Sequence, residues 1–138
     1  MQKTAENEQQ LSTLIYISLE NNIPQACIYG DKNQIIQVFI NIMKNSIEAM
    51  PDGGTIHLRV WKENQTIHIT ISDTGIGISK ERLQKIGEPF FTLKEKGMGL
   101  GLTTSMKIVQ EHKGTIEIES EVGKGTTVHL SFPAYEKR

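Results

Sequence analysis

The sequence predicts an α+β domain, in which helices cover one face of a mixed, mostly antiparallel sheet. Segments 56–60 and 67–71 alternate apolar and polar residues on either side of a polar turn, which is typical of a β-hairpin with one buried side. A second hairpin is predicted near the end of the chain, around the turn at 123–125. A long segment with helical periodicity precedes the first hairpin, and two shorter helical segments separate the hairpins. Helices mixed with antiparallel strands define the α+β class.

Size and composition favour one globular domain. The chain has 138 residues, with 15 Lys+Arg, 16 Asp+Glu and a net charge of −1. A field this weak argues against binding to nucleic acid or to an acidic membrane surface. The single cysteine, Cys27, excludes an internal disulfide and a multi-cysteine zinc site. Because no apolar run resembles a membrane span or the core of a signal peptide, we expect a cytoplasmic domain that makes no membrane contact itself, whether or not its parent protein is anchored in a membrane.

The N-terminal elements are weakly defined. Residues 1–10 are polar and predict a stub, either the end of a helix or a linker, so the domain is expected to span 11–135. β-Branched and aromatic residues predict a strand over 11–19, and the turn residues at 21–24 end it. A short extended piece is expected at 26–29.

The first helix is predicted to run from Asp31 to Met50. Asp31 is a favourable N-cap, and Gln34 stands three residues later, at the spacing of a capping box. Turn residues from Pro51 to Gly54 end the helix. Its apolar residues cover well over half of the helix circumference, so we expect it to be largely buried.

Two further helices are expected between the hairpins. Ser79 is predicted to cap a short helix that ends at Gly87, and a third helix is predicted over 102–113, ending at Gly114. The segment 88–101 between them is expected to be a loop.

A narrow polar stripe on the long helix contains two asparagines. Asn41 and Asn45 are four residues apart, so their side chains emerge on the same face, roughly 5–6 Å from each other. Asparagine is a poor helix former, because its amide competes for backbone hydrogen bonds. The pair can be two satisfied amides, or its carbonyl oxygens can converge on a hard cation or on water bound to phosphate.

Asp73 ends the buried face of a strand. It has the same parity as Ile69 and Ile71, so its carboxylate points to the apolar side, where an unpaired carboxylate would be costly. It is either a turn-forming residue before Thr74-Gly75 or an acceptor for the amino group of a ligand.

Glycines alternate directly before the third helix. Gly97, Gly99 and Gly101 allow close approach of the backbone, and a helix N-terminus favours an anion. The spacing matches neither the dinucleotide fingerprint nor a P-loop, and a flexible loop without a ligand is the alternative. Together with the asparagine pair and Asp73, this strip favours a nucleotide site.

Five segments, in order, resemble the sequence boxes of the Bergerat-fold ATPases. They are Asn41–Met50 (NIMKNSIEAM), Asp73–Ile78 (DTGIGI), Glu88–Lys94 (EPFFTLK), Gly97–Leu102 (GMGLGL) and Gly123–Thr127 (GKGTT). The similarity is greatest to the ATP-binding catalytic domain of bacterial sensor histidine kinases. The runs NSIEAM and PFFTLK resemble the nitrogen-sensor and sporulation-kinase branch. The family has a two-layer α/β sandwich, which agrees with the predicted class.

The resemblance implies ATP and Mg²⁺ as cofactors. Asn45 would bind Mg²⁺ with help from Asn41, Asp73 would accept a hydrogen bond from the adenine 6-amino group, and Lys94 would reach the terminal phosphate. The remaining implied contacts are those of Thr126 with the same adenine edge, of Gly75 and Gly77 with the base, and of Gly97, Gly99, Gly101 and Leu102 with the phosphates.

Three residues depart from the family pattern. Leu93 stands where the related PFFTTK pattern has a second threonine, and Met98 stands where the fourth box often has threonine. Both concern side-chain contacts of the lid and leave its backbone contacts unaffected. Glu48 occupies a position that is basic in many histidine kinases, so we assign it no phosphate contact and regard Lys44 as the candidate substitute.

The resemblance further implies transfer of the γ-phosphoryl group to a histidine on a separate dimerisation domain, followed by relay to a response regulator. The histidines here lie in predicted strands or near a helix end, without the context of a phosphoacceptor. The isolated domain is expected to be monomeric. The alternatives are a serine kinase of anti-sigma type, a hydrolytic ATPase of the same superfamily, or a nucleotide-binding interaction module without catalysis.

Overall fold

A computed structural model describes residues 14–23, 27–84 and 98–135 of the chain. The elements in chain order are β1 (Ile15–Asn21), α1 (Lys32–Glu48), β2 (Gly54–Glu63), β3 (Thr66–Asp73), α2 (Lys80–Leu83), α3 (Met98–Glu111), β4 (Thr115–Glu121) and β5 (Gly125–Pro133). The predicted α+β class and the two hairpins are confirmed.

The five strands form one sheet in the order β1-β2-β3-β5-β4. β1 is parallel to β2, and the other three pairings are antiparallel. On β3, Ile67, Ile69 and Ile71 are buried, whereas the residues between them are partly exposed. The buried side chains pack with residues of α1 and α3, so these helices cover one face of the sheet. Within the described ranges, every helix falls short of the length and apolarity that crossing a bilayer demands.

β1 is shifted from its predicted position. The strand was expected over 11–19, but it runs from Ile15 to Asn21, and residues 11–13 lie outside the described part of the chain. Its register with β2 extends it to Asn21, which pairs with Val60. No strand is assigned to 27–29, although Tyr135 N donates to Cys27 O at 2.7 Å. Local β propensity located this strand only approximately, because its parallel partner is distant in sequence.

The start of α1 is as predicted. Asp31 is the N-cap, and its Oδ1 accepts a hydrogen bond from Gln34 N at 3.1 Å. In a capping box the side chain of the third helical residue would accept from the backbone N–H of the N-cap. Here Asp31 N donates instead to His112 Nε2 at 3.0 Å. His112 Nδ1 lies 2.8 Å from Ile108 O at the end of α3. The imidazole therefore fastens the start of α1 to the end of α3.

The expectation that α1 is largely buried is wrong. Its buried residues are Val38, Ile42 and Ser46, which are spaced by four and form a single stripe. An outer flank of α1, formed by Ile36, Ile40 and Ile47 with the partly buried Phe39 and Met43, stays exposed, with its isoleucines 44–52% accessible. A two-layer fold gives each helix one sheet and one neighbouring helix, which is too little to cover an apolar residue on every side.

α3 begins four residues earlier than predicted. It runs from Met98 to Glu111 instead of over 102–113, so Gly99 and Gly101 lie in its first turn and not in a preceding loop. Glycine disfavours a helix interior, which is why its frequency here suggested a loop. The buried residues Leu102, Ser105 and Val109 follow at helical spacing and fix the helix by tertiary packing.

Candidate functional site

A cavity of about 490 Å³ opens between α1, the ends of β3 and β5, and the segment that follows β3. Five of the residues singled out from the sequence line it, namely Asn45, Asp73, Gly77, Leu102 and Thr126. Most of the rest of the wall is apolar, including Ile42, Ile76, Ile78, Ile118 and Val128. A concave, mainly apolar wall with a few convergent polar groups is typical of a small-molecule site.

Asp73 has the first of the two roles that the sequence left open, because its side chain holds the turn after β3. It ends β3 and is 7% exposed, and its Oδ1 accepts hydrogen bonds from Gly75 N at 2.9 Å and Thr126 N at 3.2 Å. Within the described part of the chain, no donor reaches Oδ2. One oxygen thus holds the turn, and the other takes no part in holding it.

The two asparagines of α1 are in different environments. Asn45 lines the cavity, but Asn41 does not. Asn41 Oδ1 accepts from Gln37 Nε2 at 2.8 Å, and Asn41 Nδ2 donates to Ser105 Oγ at 3.1 Å. Asn41 therefore links α1 to the buried Ser105 of α3, and Asn45 is the amide presented to the cavity.

The glycines after β3 are required by contacts between backbone segments. A Cβ on Gly75 would lie 2.6 Å from Ala49 O, and one on Gly77, whose φ is +77°, would lie 2.2 Å from Glu121 O. Gly123 N donates to Ile76 O at 2.9 Å. The segment after β3 is thus held between the end of α1 and the β4–β5 turn, so both glycines have a packing role besides the predicted approach to a base.

Thr126 belongs to a hydroxyl network behind the cavity wall. Its Oγ1 lies 2.7 Å from Ser120 Oγ, and Ser120 also donates to Gly125 O at 2.9 Å and accepts from Ile78 N at 2.7 Å. Ser120 is not among the site residues predicted from the sequence. The sequence feature that indicates it is a hydroxyl on the same face of the strand as Ile116 and Ile118, where apolar residues are otherwise found.

The predicted phosphate-binding residues are only partly described. Gly99 and Gly101 lie in the first turn of α3, where backbone N–H groups lack helical partners, and the Leu102 side chain is buried in the cavity wall. Lys94 and Gly97 lie outside the described residues.

Three charged residues line the cavity or lie on α1. Arg82 of α2 lines the cavity, although it was not predicted as a site residue. Lys44 lies on the outer flank of α1, away from the cavity lining. Glu48 Oε1 is buried without a hydrogen-bond partner among the described residues.

The comparisons with known proteins agree with this geometry. A model of the family described as "Histidine kinase-, DNA gyrase B-, and HSP90-like ATPase" matches residues 30–136. Sporulation kinase E of Bacillus subtilis (strain 168) is 49% identical over 118 residues, which are 85% of this chain and 16% of that protein. Sporulation kinase C of the same organism is 45% identical over 120 residues, or 85% of this chain and 28% of that protein.

Solved structures show the same fold. The nucleotide-free catalytic domain of histidine kinase ThkA has a TM-score of 0.77 and 29% identity, over 95% of this chain and 85% of that one. The mycobacterial sensor histidine kinase MprB has a TM-score of 0.79 at 20% identity, over 99% and 92% of the two chains. The chain spans 16–28% of the length of the two sporulation kinases, so it corresponds to one part of such proteins.

Proposed function

The chain belongs to the family of histidine kinase-, DNA gyrase B- and HSP90-like ATPases, and from this membership we propose that it is the ATP-binding catalytic domain of a two-component sensor histidine kinase. In this role it binds Mg·ATP and presents the γ-phosphate to a histidine on a separate dimerisation domain, for relay to a response regulator. The observation that carries the proposal is the buried carboxylate of Asp73 in the cavity wall, with one oxygen bound and the other without a donor.

Adenine recognition is assigned to Asp73 and Thr126. A carboxylate accepts hydrogen bonds at both of its oxygens and donates none, so Oδ2 of Asp73 suits the exocyclic amino group of adenine. The apolar wall on either side, which includes Ile76 and Ile78, suits the faces of the base.

The donor set fits a hard cation that is also bound by phosphate. Among the described residues no cluster of three or more His, Cys, Asp or Glu could hold a metal. A magnesium ion here would take the amide oxygen of Asn45, which lines the cavity, with its other ligands from phosphate and water. When bound, the ion neutralises charge on the phosphates, and Asn45 supplies its anchor.

Phosphate binding is assigned to the start of α3 and the segment before it. Unpaired N–H groups at a helix start favour an anion, and glycine lets the phosphates approach the backbone. We assign this contact to Gly97, Gly99 and Gly101, with Lys94 at the terminal phosphate. Asn41 does not line the cavity, and it would assist through its hydrogen bond to Ser105 of α3.

The acceptor histidine is assigned to another domain, because each histidine of this chain has a local partner. His112 Nε2 accepts a hydrogen bond from Asp31 N. His68 Nδ1 lies 2.9 Å from His129 Nε2, and His57 Nδ1 lies 3.0 Å from a serine hydroxyl of β1. Phosphoryl transfer needs positioning and charge neutralisation rather than a nucleophile from this domain.

Rapid hydrolysis of ATP is disfavoured. Hydrolytic members of the superfamily generally place a glutamate four residues before the metal-binding asparagine, where this chain has Asn41. An amide cannot take a proton from water.

The experiment combines the chain with a purified phosphoacceptor domain and γ-labelled Mg·ATP. We expect label on a histidine of the added domain and none on this chain alone. Label on serine would instead support the anti-sigma type, and ATP binding without transfer would support an interaction module.

A further inference from the structure

Ser120 lies behind the cavity wall, where β4 pairs with the start of β5. It lies on β4 opposite Thr126 of β5, and it is absent from the residues that line the cavity. Its hydroxyl contacts Ile78 N at 2.7 Å, Gly125 O at 2.9 Å and Thr126 Oγ1 at 2.7 Å. Ser120 thus joins the segment after β3 to the start of β5, the two segments that carry the proposed base-binding groups.

The proton count at Ser120 fixes the direction of these bonds. A serine hydroxyl has one proton and two acceptor positions. One acceptor position takes Ile78 N–H, and the proton goes to Gly125 O, which can only accept. All three contacts are hydrogen bonds only when Thr126 donates its proton to the remaining acceptor position of Ser120.

Thr126 is then an acceptor toward the cavity. With its proton committed to Ser120, only the lone pairs of Thr126 Oγ1 are left for a ligand, and within the described residues no other donor reaches that oxygen. Asp73 Oδ2 also has only lone pairs to offer to a ligand. The two residues are adjacent, because Thr126 N donates to Asp73 Oδ1 at 3.2 Å. Two adjacent groups in one wall can therefore accept and cannot donate.

We propose that Ser120 sets purine specificity by holding Thr126 as an acceptor, so that Asp73 and Thr126 together select a purine with an amino group at position 6. A purine with a carbonyl group there would place an acceptor against two acceptors, which costs binding energy. This inference rests on the proposed function, because it needs a purine in the cavity.

The test compares ATP with ITP, whose purine carries a carbonyl oxygen in place of the 6-amino group and a hydrogen on N1; both differences are the same for every variant, so a change in the ratio between variants reports on the protein. Calorimetry with Mg²⁺ gives the ratio of the ITP to the ATP dissociation constant for the 138-residue chain and its variants. In Ser120→Ala the Thr126 hydroxyl is free to turn and donate to the ITP carbonyl. We expect the ratio to fall about tenfold, as one hydrogen bond would give.

Three variants separate positioning from a general structural effect. Ser131→Ala removes a hydroxyl that contacts Thr115 Oγ1, away from the cavity, and should leave the ratio unchanged. In a Thr126→Val background, Ser120→Ala should no longer alter the ratio, because no hydroxyl remains to be oriented. If Ser120→Ala does not fold, Ser120→Cys should shift the ratio in the same direction.

The contrary results are distinct. A Ser120 variant that weakens ATP and ITP equally, or changes neither, overturns the inference and leaves the proposed function intact. A ratio that still changes in the Thr126→Val background overturns it as well. Failure of the unaltered chain to bind ATP overturns the proposed function and the inference with it.

Discussion

At the scale of single residues, the two oxygens of Asp73 are in different states. Oδ1 accepts two backbone N–H groups, from Gly75 and Thr126, whereas Oδ2 has no donor among the described residues. The fold therefore depends on one oxygen and the proposed function on the other. This separation makes it feasible to alter binding with little change in structure.

Asp73→Asn should weaken ATP binding about 10- to 100-fold, because an amide donor would replace the acceptor that faces the ligand. The asparagine carbonyl can keep the two bonds that Oδ1 accepts, so the melting temperature should change little. Calorimetric titration with Mg·ATP measures the effect.

The matched control is Asp52→Asn, which makes the same chemical change at an exposed position in the turn after α1. It should leave ATP affinity as it is. Equal affinity in Asp73→Asn and the unaltered chain would contradict the role of Asp73.

Glu20 gives a prediction about pH. The hydrogen bond from the Asn22 side chain lowers the pKa of this carboxyl, and the charges of Arg59 and His57 act in the same direction against a raising effect of desolvation. A carboxyl whose pKa is lowered by folding stabilises the folded state above its unfolded pKa, and this is lost as pH falls through the folded pKa.

NMR titration should place the Glu20 midpoint below that of an ordinary glutamate, and Asn22→Ala should move it upward. Because Glu20 is exposed, the effect on stability should be small and reduced by salt. An unchanged midpoint in Asn22→Ala would show that this hydrogen bond is not the main cause.

At the scale of elements, the β4–β5 hairpin and the end of β3 are fastened to each other. Gly125 has φ +109°, and a Cβ there would lie 2.0 Å from Asp73 O. Gly123 has φ +84°, but a Cβ there would meet nothing within 4 Å. Gly123 is thus required only by its positive φ, whereas Gly125 is required by its positive φ and by its close contact with Asp73.

Gly125→Ala should therefore destabilise the domain by several kcal/mol and abolish ATP binding, since strain and a backbone collision act together. Gly123→Ala should cost about 1 kcal/mol, from the positive φ alone. Chemical denaturation measures both. Similar costs for the two variants would show that the contact with Asp73 is not tight.

The two sides of α1 give a second matched pair. Ile42 is 1% exposed, whereas Ile40 on the outer flank is half exposed. Ile42→Ala should cost about 2–5 kcal/mol of unfolding free energy through a lost core side chain. Ile40→Ala should cost less than about 1 kcal/mol. Comparable losses would mean that the outer flank is covered in solution.

At the scale of the whole molecule, the sequence predicted what depends on local pattern. Alternation located both hairpins, and Asp31 and Ser79 cap α1 and α2 as expected. The inward parity of Asp73 placed it in the cavity wall. These features depend on residues that are close together in the chain, and on a single period.

The features that were missed depend on tertiary contacts. The outer flank of α1 is exposed because the sheet and the neighbouring helix cover only one side of α1. The composition of the helix does not indicate how much of it these elements cover. α3 begins at Met98 despite its glycines, because packing outweighs propensity. Ser120 reaches the site through the pairing of β4 with β5, and Arg82 through the segment after β3; the inward parity of Ser120 alone did not mark it as part of a site.

The most direct measurement of the central claim is an NMR titration of the ¹⁵N-labelled chain with Mg·ATP. The account predicts saturable shifts at the amides of Gly75, Ile78 and Thr126 and at the Asn45 side chain, and their loss in Asp73→Asn. An absence of saturable shifts, or shifts confined to the outer flank of α1, would contradict it.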